Sequence, residues 1–458
     1  MIENDAFKLL LINLFHLNPD DIANILCTTF NKMMVLVVTL ADKHQACPYC
    51  GFTAPKIKEY VTKEITHSAL TTQKCIIKYR ARRYKCSCCG KTYYEFNPFV
   101  FKSQKISILT VHNILKDLKD FNETFTSVAR RYHVSPTSVS TIFDNHVDIG
   151  RNPLPEIINF DEVYAFKSEK SKYVCVLLDF KKQIPVDVLP NRKKEYLLNY
   201  FQKIPLEERK KVKYACSDMY EVYRDVVHKV FPEAKHLLDY FHLSQDFHKK
   251  MNEVRIKVMK GYKDDKASDE YYLLKKFNWL LFKNPEDEDK YGRLFDVERE
   301  RKYNSHFKSY MNYYDLRKKL LEINNDLTIC YSLKLELVDF YSKSTIDNAQ
   351  VNLEHLIRSF IDTNIEEMIK FSNNLINWKQ EIINSFTIVD TEYKVEADKG
   401  QVVVCNKKVN NAIIENRNKI IKCIKNNANG YTNWSRFRNR VMYVLDPNAT
   451  FSLEPREK

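Results

Sequence analysis

The chain has 458 residues, with 73 Lys and Arg against 59 Asp and Glu for a net charge of +14 and a pI near 9.0. That balance points to a polyanionic partner, nucleic acid first, and the length allows two to four domains. No apolar run approaches the roughly 20 residues that span a bilayer, and MIENDAFKLLLINLF lacks the basic region and cleavage site of a secretion signal, so membrane and secreted classes are set aside. The twelve cysteines are then expected in a reducing, prokaryotic-type cytoplasm, near the nucleoid, where paired cysteines indicate metal rather than disulfide.

Residues 1–40 read as an amphipathic helix followed by a strand, MMVLVVTL. Residues 41–97 carry CPYCG and CSCCG, which give Cys47, Cys50, Cys86 and Cys89 as two C-x2-C pairs. A two-residue spacer lets both thiolates face one tetrahedral ion, so the expectation is a four-cysteine domain holding one structural Zn²⁺. Only seven glycines occur, yet Gly51 and Gly90 each follow a pair directly, where a knuckle needs positive φ. Cys88 is an alternative ligand, but the glycine register favours Cys86 with Cys89. Between the pairs lies KYRARRYK, whose Arg80, Arg82, Arg83 and Lys85 interleave with tyrosines; this is a candidate phosphate-contacting strand, with a solvated edge strand as the alternative.

Residues 105–150 read as a helix-turn-helix domain. In FTSVARRYHVSPTSVSTIFDNHV, Ala129 is small enough for a helix crossing and Val134 can plug the turn. Ser135 is a good N-cap and Pro136 a good first helical residue. Val139, Ile142 and Phe143 would face the core, leaving Thr137, Ser138 and Ser140 nearer a major groove.

Residues 155–250 change to strand, strand, strand, helix, strand, helix, strand. Three strands in series followed by two βα units describe a mixed α/β sheet of ribonuclease-H-like order. Residues 251–388 have repeated 3.6-period apolar spacing and read as an all-α insertion. Residues 389–446 would return to the sheet domain, with a hairpin turning at Asp398-Lys399-Gly400 and a helix near 410–427; residues 447–458 form a polar tail.

Three acids sit where an unpaired charge is costly. Asp161 lies in the strand IINFDEVYAF, Asp218 ends KYACSDM, and Glu415 lies in the helix NNAIIENRNKIIKCIK. Together they would form a divalent-cation site for phosphoryl transfer; taken singly, each is more economically a solvated acid. Alternation puts Asp161 and Glu162 on opposite strand faces, so one of the two joins a given site. Glu415, Lys419 and Lys422 fall at i, i+4 and i+7, one acid on a basic helix face suited to a phosphate backbone. Asp239 and His242 in LLDYFHL add a further polar cluster, for which a hydrogen bond capping the strand-to-helix junction is the ordinary reading.

Taken in order, CPYCG, RRYKCSCCGKTY, the helix-turn-helix, FDE, SDMYEVYRDVVHKVFPEAKHLLDYFHL and NNAIIENRNKIIKCIKNNANGYTNWSRFRNRVMY make the chain resemble an insertion-sequence transposase of the ISL-three type, in the DDE superfamily. The resemblance runs nearly end to end. It implies that Asp161, Asp218 and Glu415 are the catalytic acids of a ribonuclease-H-like domain, holding two Mg²⁺ (or Mn²⁺) ions, and that Asp239 and His242 are its D-x-x-H element. It implies cleavage at the element end and attack of the freed 3′-hydroxyl on target DNA. The N-terminal domains would recognise terminal inverted repeats in double-stranded DNA, and a homodimer or larger assembly would cut both ends. Lys419, Lys422, Arg436, Arg438 and Arg440 are then candidates to hold phosphates. Two positions depart from the family pattern: Asn416 follows the Glu where glycine is common, and Tyr240 replaces the Arg of D-R-F-H. The alternatives are a non-catalytic zinc and helix-turn-helix regulator, or a ribonuclease-H-like nuclease without strand transfer.

Overall fold

The structure is a computed structural model that describes residues 2–43, 46–53, 55–68, 72–101, 104–166, 171–394 and 402–456. It is a mixed α and β chain with several hydrophobic cores. Helix α1 (Ile2–Leu14) lies on β1 (Ile22–Phe30), β2 (Met33–Leu40), β3 (Lys56–Thr66), β4 (Cys75–Lys85) and β5 (Thr92–Tyr94), in a sheet of order β1-β2-β4-β3 with β5 also on β4. Leu11, Ile12 and Phe15 of the helix region meet Leu36, Ile77 and Tyr79 of the sheet. One strand was expected before residue 40, and the structure has a hairpin instead. Its turn is Asn31-Lys32, with φ of 48° and 60°, a primed turn built without the glycine that usually advertises one. β4, which contains KYRARRYK, is a central strand paired to both β2 and β3, not an edge.

Next come α2 (Ile108–Asp117), α3 (Phe125–Arg131) and α4 (Pro136–His146). Val111, Ile114, Val128, Ala129, Val139 and Phe143 are buried together. Ser135 caps α4 by accepting from the Ser138 amide at 3.0 Å, and His133 takes a positive φ of 53° in the tight turn between α3 and α4.

The second five-stranded sheet holds β6 (Ile157–Val163), β7 (Val174–Asp179), β8 (Pro185–Leu189), β9 (Tyr214–Ser217) and β10 (Lys235–Leu238), ordered β10-β9-β6-β7-β8. β6-β7 and β7-β8 are antiparallel, while β6-β9 and β9-β10 are parallel. α5 (Lys194–Gln202), α6 (Leu206–Arg209) and α7 (Glu221–Val230) follow the strands as the two crossovers require. Both faces of the sheet are covered, which explains strands that are apolar almost throughout. Phe160, Leu177 and Val186 pack towards α5 and α7; Val163, Val176 and Val188 pack towards two C-terminal helices that carry Ile414, Ile421, Phe437 and Val441.

From Tyr240 the chain is mainly helical: α8 (Tyr240–Lys260), α9 (Asp269–Lys276), α10 (Tyr313–Glu322), α11 (Asn325–Lys343), α12 (Ala349–Asp362), α13 (Glu366–Asn377) and α14 (Lys379–Asn384) share one core. Two differences from the expected all-α insertion stand out. α8 runs unbroken through residue 250, and two short hairpins, β11 (Glu288–Asp289) with β12 (Gly292–Arg293) and β13 (Lys302–Asn304) with β14 (Ser309–Met311), interrupt the helices. Their strands are two or three residues long, below what apolar periodicity can register. β15 (Ile388–Lys394) and β16 (Val402–Lys408) pair antiparallel; the turn expected at Asp398-Lys399-Gly400 lies outside the described residues. α15 (Ala412–Asn427) and α16 (Trp434–Leu445) then return to the second sheet. Among the described residues no helix is long and apolar enough to cross a membrane.

Candidate active site

Cys47, Cys50, Cys86 and Cys89 converge, with sulfur atoms that all lie within 4.8 Å of one another. Cys47 and Cys89 sulfurs are 3.7 Å apart, and those of Cys50 and Cys86 3.5 Å. The two knuckles are built alike. The Gly51 amide donates to the Cys47 carbonyl at 2.9 Å and the Gly90 amide to the Cys86 carbonyl at 3.0 Å, with φ of +75° and +69° at the glycines. The Cys89 and Cys88 amides hold the Cys86 thiol down to about 7, while Cys50 and Cys89, against backbone contacts with Phe52 and Lys91, are raised by burial and neighbouring thiols, so without a metal the thiolate is favoured at Cys86. Cys88 is exposed and outside the group. Four thiols in two mirrored knuckles fit a tetrahedral Zn²⁺.

The acids are brought together by four separate stretches of chain. Asp161 sits near the end of the central strand β6, is 8% exposed, and faces α15. Alternation turns Glu162 to the other face, where it pairs with Arg192 and accepts from the Tyr223 hydroxyl at 3.1 Å. Asp218 follows β9, the neighbour of β6. Asp239 follows β10, and one turn later His242 projects from α8; Glu415 projects from the first turn of α15. Asp239, His242 and Glu415 form the tightest group, with one ligand atom of each within 4.8 Å of the others. His242 Nε2 lies 3.9 Å from Asp239 Oδ2 and 4.0 Å from Glu415 Oε1.

Electrostatics tie the remaining two acids to that group. Burial, then the neighbouring Asp218 charge, and also the charges of Glu415 and Asp239, push the Asp161 carboxyl up to about 7, against the opposing pull of His242. Burial raises Asp218 as well, opposed by His242, Arg192 and backbone amides. Asp239 is raised by burial against the Asn411 amide and His242. Such a cluster is a poor ion-pair network and a good cation site: burial first, and for Asp161 and Asp239 neighbouring carboxylates as well, hold Asp161, Asp218 and Asp239 above their ordinary values, a cost that a divalent ion would relieve. A second observation agrees. Asp218 Oδ1, Asp239 Oδ2 and His242 Nε2 are buried without a hydrogen-bond partner among the described residues, and buried polar atoms are rarely left so.

Asparagines that the sequence reading did not single out fix the geometry. Asn418 Nδ2 donates to Asp161 Oδ2 at 2.8 Å. The Asn411 amide donates to Asp239 Oδ1 at 3.2 Å, while the Asn411 side chain donates to the Phe160 carbonyl at 3.2 Å and accepts from Asn159 at 2.7 Å. Asp239 therefore serves α15 and makes no side-chain cap for its own helix, contrary to the capping expectation. Asparagine is abundant in this chain, so composition hid these three; only the pairing of β6 with α15 reveals them.

The expected DNA-contacting residues divide. Arg80 is exposed over the Tyr60 ring at 4.9 Å, Lys85 is exposed, and so are Thr137, Lys419 and Lys422. Ser138 is half-buried beside the Ser135 cap, and Arg83 pairs with Glu59 at 2.6 Å. Others are corrected by their surroundings. Arg82 turns inward to Glu95 at 2.8 Å and to the Leu40 carbonyl. Ser140 is buried and donates to the Thr137 carbonyl. Arg436 and Arg438 fasten α16 to Asp144 and Asp187, and Arg440 is 1% exposed, donating to the Asp120 and Glu123 carbonyls. An amphipathic basic helix whose acceptors come from distant segments looks like a phosphate-binding face in sequence and is an internal staple in the fold.

Comparison with known proteins adds to this geometry. A family model described as Transposase, the ISL3-type DDE model, matches residues 158–397, just over half of the chain, and ends before Glu415. Over 410 residues, 89% of this chain and 90% of the relative, the sequence is 19% identical to the transposase for insertion sequence element IS1001 of Bordetella parapertussis.

Proposed function

The chain belongs to the ISL3-type transposase family, and from that premise we propose that it is a DNA transposase. It binds the terminal inverted repeats of an insertion sequence, cleaves the strand at the element end and joins the freed 3′-hydroxyl to target DNA. The convergence of Asp239, His242 and Glu415, with Asp161 and Asp218 electrostatically joined to them and three of the buried polar atoms unpartnered among the described residues, carries this reading.

Asp161, Asp218 and Glu415 would hold two Mg²⁺ (or Mn²⁺) ions, with Asp239 and His242 completing or supporting the set. Bound there, such ions supply positive charge to the attacking and leaving oxygens of an in-line displacement. The carboxylates act as ligands, and the protein's further task is positioning. Asn418 and Asn411 orient Asp161 and Asp239, and the pairing of Glu162 with Arg192 keeps the other strand face neutral. Lys419 and Lys422 place cations on the exposed face of the helix that carries Glu415, where a phosphate backbone would lie.

The surrounding parts agree with this assignment. A three-stranded antiparallel meander followed by two parallel strands, ordered β10-β9-β6-β7-β8, supports a ribonuclease-H-like catalytic core split by the helical block. The four-cysteine knuckles support a structural Zn²⁺. The tight turn between α3 and α4, with Thr137 exposed on the capped helix, supports a helix-turn-helix that reads the terminal repeats. We further propose that a homodimer or larger assembly acts, since two ends must be cut. Cleavage and joining of end-containing DNA with Mg²⁺ tests the function: a DNA-binding regulator does neither, and a plain nuclease yields no joined product.

A further inference from the structure

Asp161 and Asp218 belong to different strands, yet the backbone holds each in the same way. Asp161 Oδ1 accepts from the Glu162 amide at 2.7 Å, and the Asp218 carboxylate takes a backbone hydrogen bond from Tyr220. The side chains of those two donor residues meet on one guanidinium. Arg192 pairs with Glu162 and lies 4.8 Å over the Tyr220 ring, with the Tyr173 ring 4.5 Å away. Tyr223 closes the group, donating to Glu162 Oε2 at 3.1 Å and meeting Tyr220 edge-on at 5.2 Å.

Topology explains why one residue reaches both. Arg192 follows β8, which runs antiparallel to β7 as β7 does to β6, so β8 ends on the edge where β6 and β9 also end. Its side chain is 27% exposed. A guanidinium suits the place: its fork takes a carboxylate in plane while its face lies on a ring, and an ammonium meets one of these demands at a time. Its charge alone is a liability beside a cation site, because it repels the ion. What it adds there is geometry. We propose that Arg192 is a positioning residue that sets the separation of Asp161 and Asp218, acting through Glu162 and Tyr220. The inference rests on the transposase reading and deepens it. Two ions about 3.5–4 Å apart require ligands held to within about 0.5 Å, and one arginine joins the two segments that carry them.

Mn²⁺ titrated into the full-length protein without DNA tests this, with electron paramagnetic resonance reporting the ions bound and the spin coupling of a close pair. Wild type is expected to show a coupled pair. Arg192→Met, which keeps the length and loses the fork, should bind the pair roughly 10- to 100-fold more weakly and lose the coupling, although removing a positive charge favours cations. Arg192→Lys should restore the charge without the coupling. Tyr220→Leu keeps the backbone amide and should reproduce the Arg192→Met defect, and combining the two should add little. Thermal unfolding checks the fold of each variant; should Arg192→Met fail to fold, Tyr220→Leu decides. The proposal is overturned if the folded Arg192→Met variant binds Mn²⁺ as tightly as wild type, or if Arg192→Lys restores the coupled pair, either of which reduces Arg192 to a charge. It is also overturned if the variants keep the pair and instead reduce the salt dependence of end-DNA binding by about one charge, which would place Arg192 on a phosphate. Wild type that cuts its ends in Mg²⁺ but shows no pair overturns it too, since DNA would then set the spacing. All these results leave the transposase reading intact. Wild-type protein that neither binds the pair nor cuts the ends overturns both readings.

Discussion

Asn418 donates its Nδ2 to Asp161 Oδ2 at 2.8 Å across 257 residues of sequence. One helical turn before Asn418 on α15 stands Glu415, so the hydrogen bond sets the distance between an acid on the central strand and an acid on the last but one helix. The catalytic arrangement proposed above depends on that registration as much as on the acids.

Asn418→Ala should therefore separate positioning from folding. Removing the donor leaves a buried carboxylate short of one partner, worth about 1–3 kcal/mol, and frees Asp161 to rotate. We expect a higher Mg²⁺ concentration for half-maximal cleavage, with partial recovery at high Mn²⁺. A purely structural asparagine would lower the melting temperature and leave the metal dependence where it was.

The raised Asp161 carboxyl gives a pH signature. Its folded pKa of about 7 stands above the 3.8 of an ordinary aspartate, so the folded state holds the proton more tightly than the unfolded chain. The contribution is full below about 4 and is lost as pH rises to about 7, by on the order of 4 kcal/mol. Metal-free protein should thus lose stability over that window relative to Asp161→Asn, and Mg²⁺ should restore it most at the alkaline end. Thermal unfolding of both proteins across pH, with and without Mg²⁺, checks the sign; parallel curves would contradict it.

Parts of the candidate sites were legible in the sequence. Asp161, Asp218 and Glu415 each broke an apolar pattern, and the two C-x2-C-Gly units showed their spacing and their glycines at once. Asn418 and Asn411 were illegible because their meaning lies in a contact between segments about 250 residues apart. Arg440 was misleading for the same reason: a basic residue on an amphipathic helix reads as surface until the carbonyls of Asp120 and Glu123 are known to wait for it. Short hairpins and the Asn31-Lys32 turn carried too few residues, or the wrong ones, to register.

The arginines of α16 and the lysines of α15 should behave oppositely. Arg440→Ala leaves two carbonyls unpaired and a cavity, and should cost about 2–4 kcal/mol of stability. Lys419→Ala or Lys422→Ala should leave unfolding unchanged while reducing the salt dependence of DNA binding by about one charge each. Binding titrations at several salt concentrations, paired with thermal unfolding, distinguish the two groups.

Zinc content tests the knuckles. Purified protein should carry one Zn²⁺ per chain, Cys47→Ser and Cys86→Ser should lose it and destabilise the N-terminal sheet, and Cys88→Ser should retain it. Elemental analysis decides; loss of zinc in the Cys88 variant would mean that the second pair is misassigned.

The most direct test of the central claim is strand transfer with pre-cut end DNA and Mg²⁺, comparing wild type with Asp161→Asn, Asp218→Asn and Glu415→Gln. Joined product is expected from the wild type and a loss of at least about 100-fold in each variant, with zinc content and cooperative unfolding preserved. Joined product at wild-type levels from any one of the three would contradict the assignment of that acid to the catalytic site.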